Sequence, residues 1–276
     1  FAVRIPGAVE EARRRHGLSP TAAAALGRTM AAGAMMGAML KSADDKLTLQ
    51  IKGGGPIGQI VVDANAKGEV RGYVDNPAVD LPLNPLGKLD VAGAVGTNGS
   101  IYVVKDLGLK EPYRGSVPIV SGEIGEDLTY YFAKSEQTPS AVGLGVLVDV
   151  DRTIKAAGGF LLQLLPGVSD EDITALEQKL AALPSVTALL GEGATLEEML
   201  SSIIDGPIRV LDRLDVRFHC PCSKERVSRM LISLGKEELE NLFREDGRAE
   251  IVCHFCSETY TFEENELREI IGGLER

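Results

Sequence analysis

His219-Cys220-Pro221-Cys222-Ser223 and, with thirty residues between Cys222 and Cys253, Cys253-His254-Phe255-Cys256 decide how the last quarter of this chain folds. They hold all four cysteines of the 276-residue sequence. Each pair sets two sulfurs on one turn of chain. Two such pairs complete a closed tetrahedral zinc site, with Zn–S distances of about 2.3 Å. The unit around them, residues 216–276, reads as knuckle, helices over 223–234 and 236–245, a strand at 249–252, the second knuckle, a strand at 259–262 and a last helix. Leu267, Ile270 and Ile271 give that helix its buried face, and Thr261-Phe-Glu-Glu264 reads as its capping box. A unit this small builds only a thin core, so a metal staple is physically expected. Structural zinc contributes on the order of 10–16 kcal/mol in finger peptides. A whole domain is stable by only ~5–15 kcal/mol.

The same four sulfurs are open to oxidation, because zinc-bound thiolates stay nucleophilic. Within a pair, the neighbouring cysteine is the nearest resolving thiol. The local products would be Cys220–Cys222 and Cys253–Cys256, and neither bridges the two knuckles as zinc does. A structural zinc site with no redox role stands beside this reading. His219 and His254 adjoin the cysteines, but four thiolates already fill a tetrahedron. His16 follows Arg13-Arg14-Arg15, a run that reads as a solvated helix face.

Upstream of the knuckles the texture changes twice. Ser19-Pro20 is a helix start, cap then first helical position, for an Ala/Met-rich helix to about Lys41. Within it Gly33-Ala-Met-Met-Gly37 permits close packing on a neighbouring element. Residues 47–51, 57–63, 69–74, 101–104, 128–133, 145–150 and 160–165 read as strands punctuated by Gly, Asn, Asp and Pro. Too little helix separates them for a βαβ repeat, so the fold class is α+β with a mostly antiparallel sheet and packed helices over residues 1–167. Residues 168–215 read as a helical linker. Ser169 caps one helix with Ile173, Leu176, Leu180 and Leu183 on a stripe that Pro184 ends. Thr195-Leu-Glu-Glu198 is a capping box opening a second, with Met199, Leu200, Ile203 and Ile204. Residues 216–276 form the small zinc-binding domain.

Charge and composition narrow the function. Residues 1–167 balance 17 acidic against 17 basic side chains, whereas residues 168–276 hold 23 acidic and 12 basic, which is the whole net charge of −11. That field repels polyphosphate, and the absence of Trp removes the best stacking residue, so no nucleic-acid partner is expected. The apolar run 21–40 is mostly Ala and Gly with Arg28 inside, so no membrane span is expected. Sparse cysteines and no visible signal peptide read as a cytoplasmic protein. The chain opens at Phe1 rather than at an initiator Met. Gly53-Gly54-Gly55-Pro56 lacks the following Gly-Lys-Ser/Thr of a phosphate loop and reads as a turn between strands. Asn98-Gly99-Ser100 matches a glycosylation sequon but reads as a turn. No catalytic signature is found, and the chain is read as a non-enzyme without catalytic residues.

The sequence resembles the 33 kDa heat-shock (chaperonin) family of redox-regulated molecular chaperones. The two knuckles and their spacing carry the likeness. So do Lys52-Gly-Gly-Gly-Pro-Ile-Gly58, Asp63-Ala-Asn-Ala-Lys-Gly-Glu-Val70, Gly96-Thr-Asn-Gly99, Val104-Lys-Asp-Leu-Gly-Leu109, Ser135-Glu-Gln-Thr-Pro-Ser140 and Ala157-Gly-Gly-Phe160. The resemblance covers nearly the whole chain. It implies an ATP-independent holdase, inactive while reduced and bound to one Zn²⁺ through Cys220, Cys222, Cys253 and Cys256. It implies that oxidation forms the two local disulfides, releases zinc, unfolds the terminal unit and linker, and exposes apolar surface to unfolding client proteins. Transfer of clients to ATP-driven foldases, a homodimer on activation and a further strand ahead of Phe1 are implied too. Two other classes remain. A zinc-ribbon protein would want a basic face near its knuckles. A thiol–disulfide oxidoreductase would want Cys253 at a helix N-terminus.

Overall fold

The Ala/Met-rich segment forms α2 (Pro20–Ala38), the axis around which the first part of the chain is built. Ser19 caps it by accepting from the Ala22 amide, and Pro20 takes the first turn. Nearly every side chain on α2 is buried, the signature of a helix enclosed on all sides rather than lying on a surface. In this computed structural model residues 1–235, 239 and 248–273 are described. Contacts divide the chain into two units, Phe1–His219 and Cys220–Arg276.

In the first unit α2 lies between two sheets. The larger has six strands in the order β6-β5-β2-β3-β4-β9. These are β2 (Lys46–Lys52), β3 (Gln59–Asn65), β4 (Glu69–Val74), β5 (Ser100–Asp106), β6 (Tyr113–Pro118) and β9 (Arg217–Phe218). The smaller is β1-β8-β7, from β1 (Ala2–Arg4), β7 (Ser140–Val148) and β8 (Ile154–Gln163). All pairings are antiparallel except β4 with β9. Strand β2 shows the alternation that pins its register, with Leu47, Leu49 and Ile51 buried and Thr48 and Gln50 turned outward. The small-residue run of α2 does what its spacing permits. A Cβ on Gly33 would stand 2.7 Å from Val62 Cγ1, and one on Gly37 would stand 2.9 Å from the Asn65 carbonyl. The glycine-rich loop after β2 is the expected turn. A Cβ on Gly53 would lie 2.2 Å from the Val95 carbonyl oxygen.

Three readings change. Residues 128–133 are not a strand but part of α4 (Ile124–Lys134). The aromatic pair Tyr130-Tyr131 favours strand locally, yet Ile124, Leu128, Tyr131 and Phe132 recur at helical spacing and are all buried. The sequence pattern leaves out β6 and the short elements β1, β9 and α3 (Val91–Val95). The capping box assigned to Thr261–Glu264 is displaced, because Thr261 belongs to a strand. The helix opens at Glu264, and Glu266 accepts from the Glu263 amide at 3.1 Å.

Helices α5 (Asp170–Ala182), α6 (Val186–Gly191) and α7 (Leu196–Ser201) follow β8. Ser169 caps α5 and the Thr195–Glu198 capping box opens α7. Their stripe covers the smaller sheet: Val186, Leu190, Met199 and Ile203 pack with Ala156 and Phe160 of β8, while Leu176, Leu180 and Leu183 are only partly buried. Beyond Ile203 the chain carries no helix until β9, and Val210, Leu211 and Leu214 are exposed there.

The second unit contains α8 (Lys224–Leu234), a hairpin of β10 (Ala249–Val252) and β11 (Thr259–Phe262), and α9 (Glu264–Gly273). Val227, Leu231, Leu239, Ala249, Phe262 and Leu267 form its core, with Ile270 packed against it. The helix expected over 236–245, apart from Leu239, and the Ile271 side chain lie outside the described residues.

Candidate metal centre

Each knuckle is shaped by the element beside it. Ser223 ends the first by capping α8, accepting from the Arg226 amide at 3.3 Å, and Arg226 Nη1 donates to the Pro221 carbonyl. Cys222 therefore lies just ahead of a helix N-terminus, where partial positive charge favours a thiolate. The second knuckle is the loop of the β10–β11 hairpin, whose last register pair is Val252↔Thr259. Two backbone bonds fold it: Cys253 N–H to the Glu258 carbonyl at 2.9 Å and Ser257 N–H to the Cys253 carbonyl at 2.8 Å. Ser257 takes φ 55°, the left-handed turn that lets the loop close.

These turns bring all four sulfurs within 4.8 Å of one another. Cys220 Sγ stands 3.8 Å from Cys253 Sγ, and Cys222 Sγ stands 3.2 Å from Cys256 Sγ. Both distances exceed the ~2.05 Å of a disulfide. A tetrahedron with metal–sulfur distances of about 2.3 Å has edges of about 3.8 Å, so this donor set fits one soft or borderline cation. Cys256 is buried and the other three are half-buried.

Without a cation the surroundings disfavour thiolates. Burial pushes the Cys222 thiol up, partly offset by the hydrogen bond it accepts from the Tyr260 hydroxyl. Burial also raises Cys256, reinforced by its contact with Cys222. Four thiolates crowded together repel, and a cation among them reverses that penalty. Four cysteines could therefore hold a metal ion.

Neither adjoining histidine belongs to the sulfur cluster. His219 lies in the first unit, where its amide donates to the Val70 carbonyl at 3.1 Å and its ring stands 3.8 Å from Glu69. His254 is exposed on the hairpin loop, and His16 ends α1 (Pro6–His16). Sequence reading misses Tyr260, whose hydroxyl lies 3.1 Å from Cys222 Sγ. The signal for it is strand alternation: Tyr260 shares a β11 face with the buried Phe262, and its partner Ile251 is two residues from Cys253.

Comparisons with known proteins agree with this arrangement. The family model described as Hsp33 protein matches residues 1–263. A 33 kDa chaperonin of Bacillus subtilis is 57% identical over 97% of this chain and 91% of its own length. One from Brevibacillus brevis is 55% identical over 99% of this chain and 94% of its own. The crystal structure of a 33 kDa chaperonin, a heat shock protein 33 homolog from Thermotoga maritima, superposes with a TM-score of 0.92. It is 42% identical and covers 99% of this chain and 92% of its own. Among the described residues no helix is long and apolar enough to cross a membrane. The sequence blocks, the mixed α+β fold with antiparallel sheets and the four-sulfur cluster converge: the chain belongs to the Hsp33 chaperone family.

Proposed function

We propose that this protein is a redox-switched, ATP-independent holdase of the cytoplasm. In the reduced state Cys220, Cys222, Cys253 and Cys256 hold one zinc ion, which would crosslink the two knuckles. Oxidation joins Cys220 to Cys222 and Cys253 to Cys256. Each disulfide, formed from two thiolates, releases two electrons, and solvent supplies the two protons needed to make water. A hydroperoxide accepts them as its O–O bond breaks, giving water from hydrogen peroxide. The sulfurs then give up the ion, and residues 220–276 are left with a thin core of Val227, Leu231, Leu239, Ala249, Phe262 and Leu267. Among the described residues that core is thin, and a unit of this size needs a staple to stay folded. Loss of order spreads to residues 168–215, where Val186, Leu190, Met199 and Ile203 now cover Phe160. Lifting them exposes both faces of an apolar contact to unfolding client proteins. Clients pass to ATP-driven foldases, and the active form is a homodimer. Excess negative charge in residues 168–276 limits self-association of the opened form.

The observation that carries this reading is the gathering of four sulfurs from two distant knuckles within 4.8 Å. The test is aggregation of a thermally denatured client, followed by light scattering, with bound zinc and titratable thiols counted on the same samples. Peroxide with mild heat should turn an inert protein into a suppressor of aggregation as zinc is released and four thiols disappear. A variant with all four cysteines changed to serine that still switched on with peroxide would exclude the sulfur mechanism. A thiol–disulfide oxidoreductase would instead reduce insulin.

A further inference from the structure

We propose that Tyr260 is a positioning residue of the sulfur switch: its hydroxyl, donated to Cys222 Sγ, shields that sulfur and makes Cys222 the slower-reacting member of its knuckle. The inference rests on the zinc and redox reading above. Its geometry is local. Tyr260 is held in β11 opposite Ile251 and packs, partly buried, against the small core of the second unit. The hydroxyl reaches Cys222 Sγ at 3.1 Å across 38 residues of sequence. A sulfur lone pair engaged by an O–H donor is less available to an electrophile, and groups just outside a ligand set commonly tune the ligands themselves.

The consequence is an order of events. The Cys220 thiolate attacks a hydroperoxide oxygen, the O–O bond breaks, Cys220 becomes a sulfenic acid, and hydroxide or alkoxide leaves and takes a proton from solvent. Cys222 then attacks the Cys220 sulfur, the S–O bond breaks, and water leaves as the disulfide forms. The second step requires Cys222 to shed the Tyr260 hydroxyl, so this hydrogen bond restrains closure of the first knuckle.

The test is pulsed alkylation of the zinc-loaded, full-length protein with N-ethylmaleimide, reading each cysteine by peptide mass mapping. In the wild type Cys222 should react more slowly than Cys220. Tyr260→Phe keeps the ring and removes the donor. It should raise the Cys222 rate by about three- to ten-fold, the size of one modest hydrogen bond, and leave Cys253 unchanged. An unchanged Cys222 rate overturns the inference. So does a parallel rise at all four cysteines, which marks a merely structural role. If Tyr260→Phe does not fold, the wild-type ranking decides, and Cys222 reacting ahead of Cys220 overturns it. A wild type that binds no zinc would sink the metal reading instead. The rate comparison still stands in that case, because the hydrogen bond joins two side chains and needs no ion.

Discussion

Cys256 is the most buried of the four sulfurs, so its loss leaves the least room for compensation. Replacing Cys256 with serine exchanges a soft donor for a hard one in a site sized for sulfur. Zinc affinity should fall by more than the roughly ten- to hundred-fold loss typical of outer partners, as a competing chromophoric chelator would show. The equivalent change at His254 should leave affinity within about two-fold, since in the proposed site four thiolates complete the tetrahedron. Glu69 makes a different prediction, in the first unit. The Arg217 guanidinium holds its carboxyl below the ordinary value of 4.5, helped by Asn65. Because the folded value is depressed, this stabilisation is present above the ordinary carboxylate range and is lost as pH falls through the folded value. Arg217 is 69% exposed, so the pair contributes only ~0.2–1 kcal/mol. Glu69→Gln should speed amide exchange at Arg217 and His219 by about two- to five-fold at neutral pH, because those amides bond β9 to the Gly68 and Val70 carbonyls. The difference between variant and wild type should close well below pH 4.5.

Helix α2 is where an element's sequence and its packing are hardest to separate. Gly37→Ala improves helix propensity by about 1 kcal/mol. The new Cβ, however, would stand 2.9 Å from the Asn65 carbonyl oxygen and 3.1 Å from Ala64 Cβ in β3. Overpacking costs ~1–3 kcal/mol and backbone cannot yield as a side-chain tip can, so the variant should lower the denaturation midpoint rather than raise it. An increase would mean that α2 does not press on β3 as described. The same element shows what sequence makes legible. Ser19-Pro20 marks the start and the small-residue spacing marks the close face, because both act through local chemistry. Strand β2 is equally readable, since its alternation repeats every second residue. Helix α4 is not, because Tyr130 and Tyr131 carry a strand preference while the deciding contacts of Leu128 and Phe132 are tertiary. Strand β9 is a two-residue edge whose pairing is set by a neighbour distant in sequence, as Val70↔Phe218 illustrates.

Across the molecule the two units differ in what holds them. The first has a large core around α2 and two sheets. Among its described residues the second has six buried apolar residues and the sulfur cluster. The sulfur cluster is readable in advance because knuckle spacing is a local signal, and Tyr260 is not, because its partner lies 38 residues away. If one ion supplies most of the second unit's stability, removing it should unfold that unit and spare the other. Amide hydrogen exchange of the zinc-loaded protein, before and after a chelator or peroxide strips the ion, measures this directly. The account predicts that β10, β11 and α8 lose protection while β2, β3 and β5 retain it. Undiminished protection of β10 and β11 after the ion has gone would contradict it.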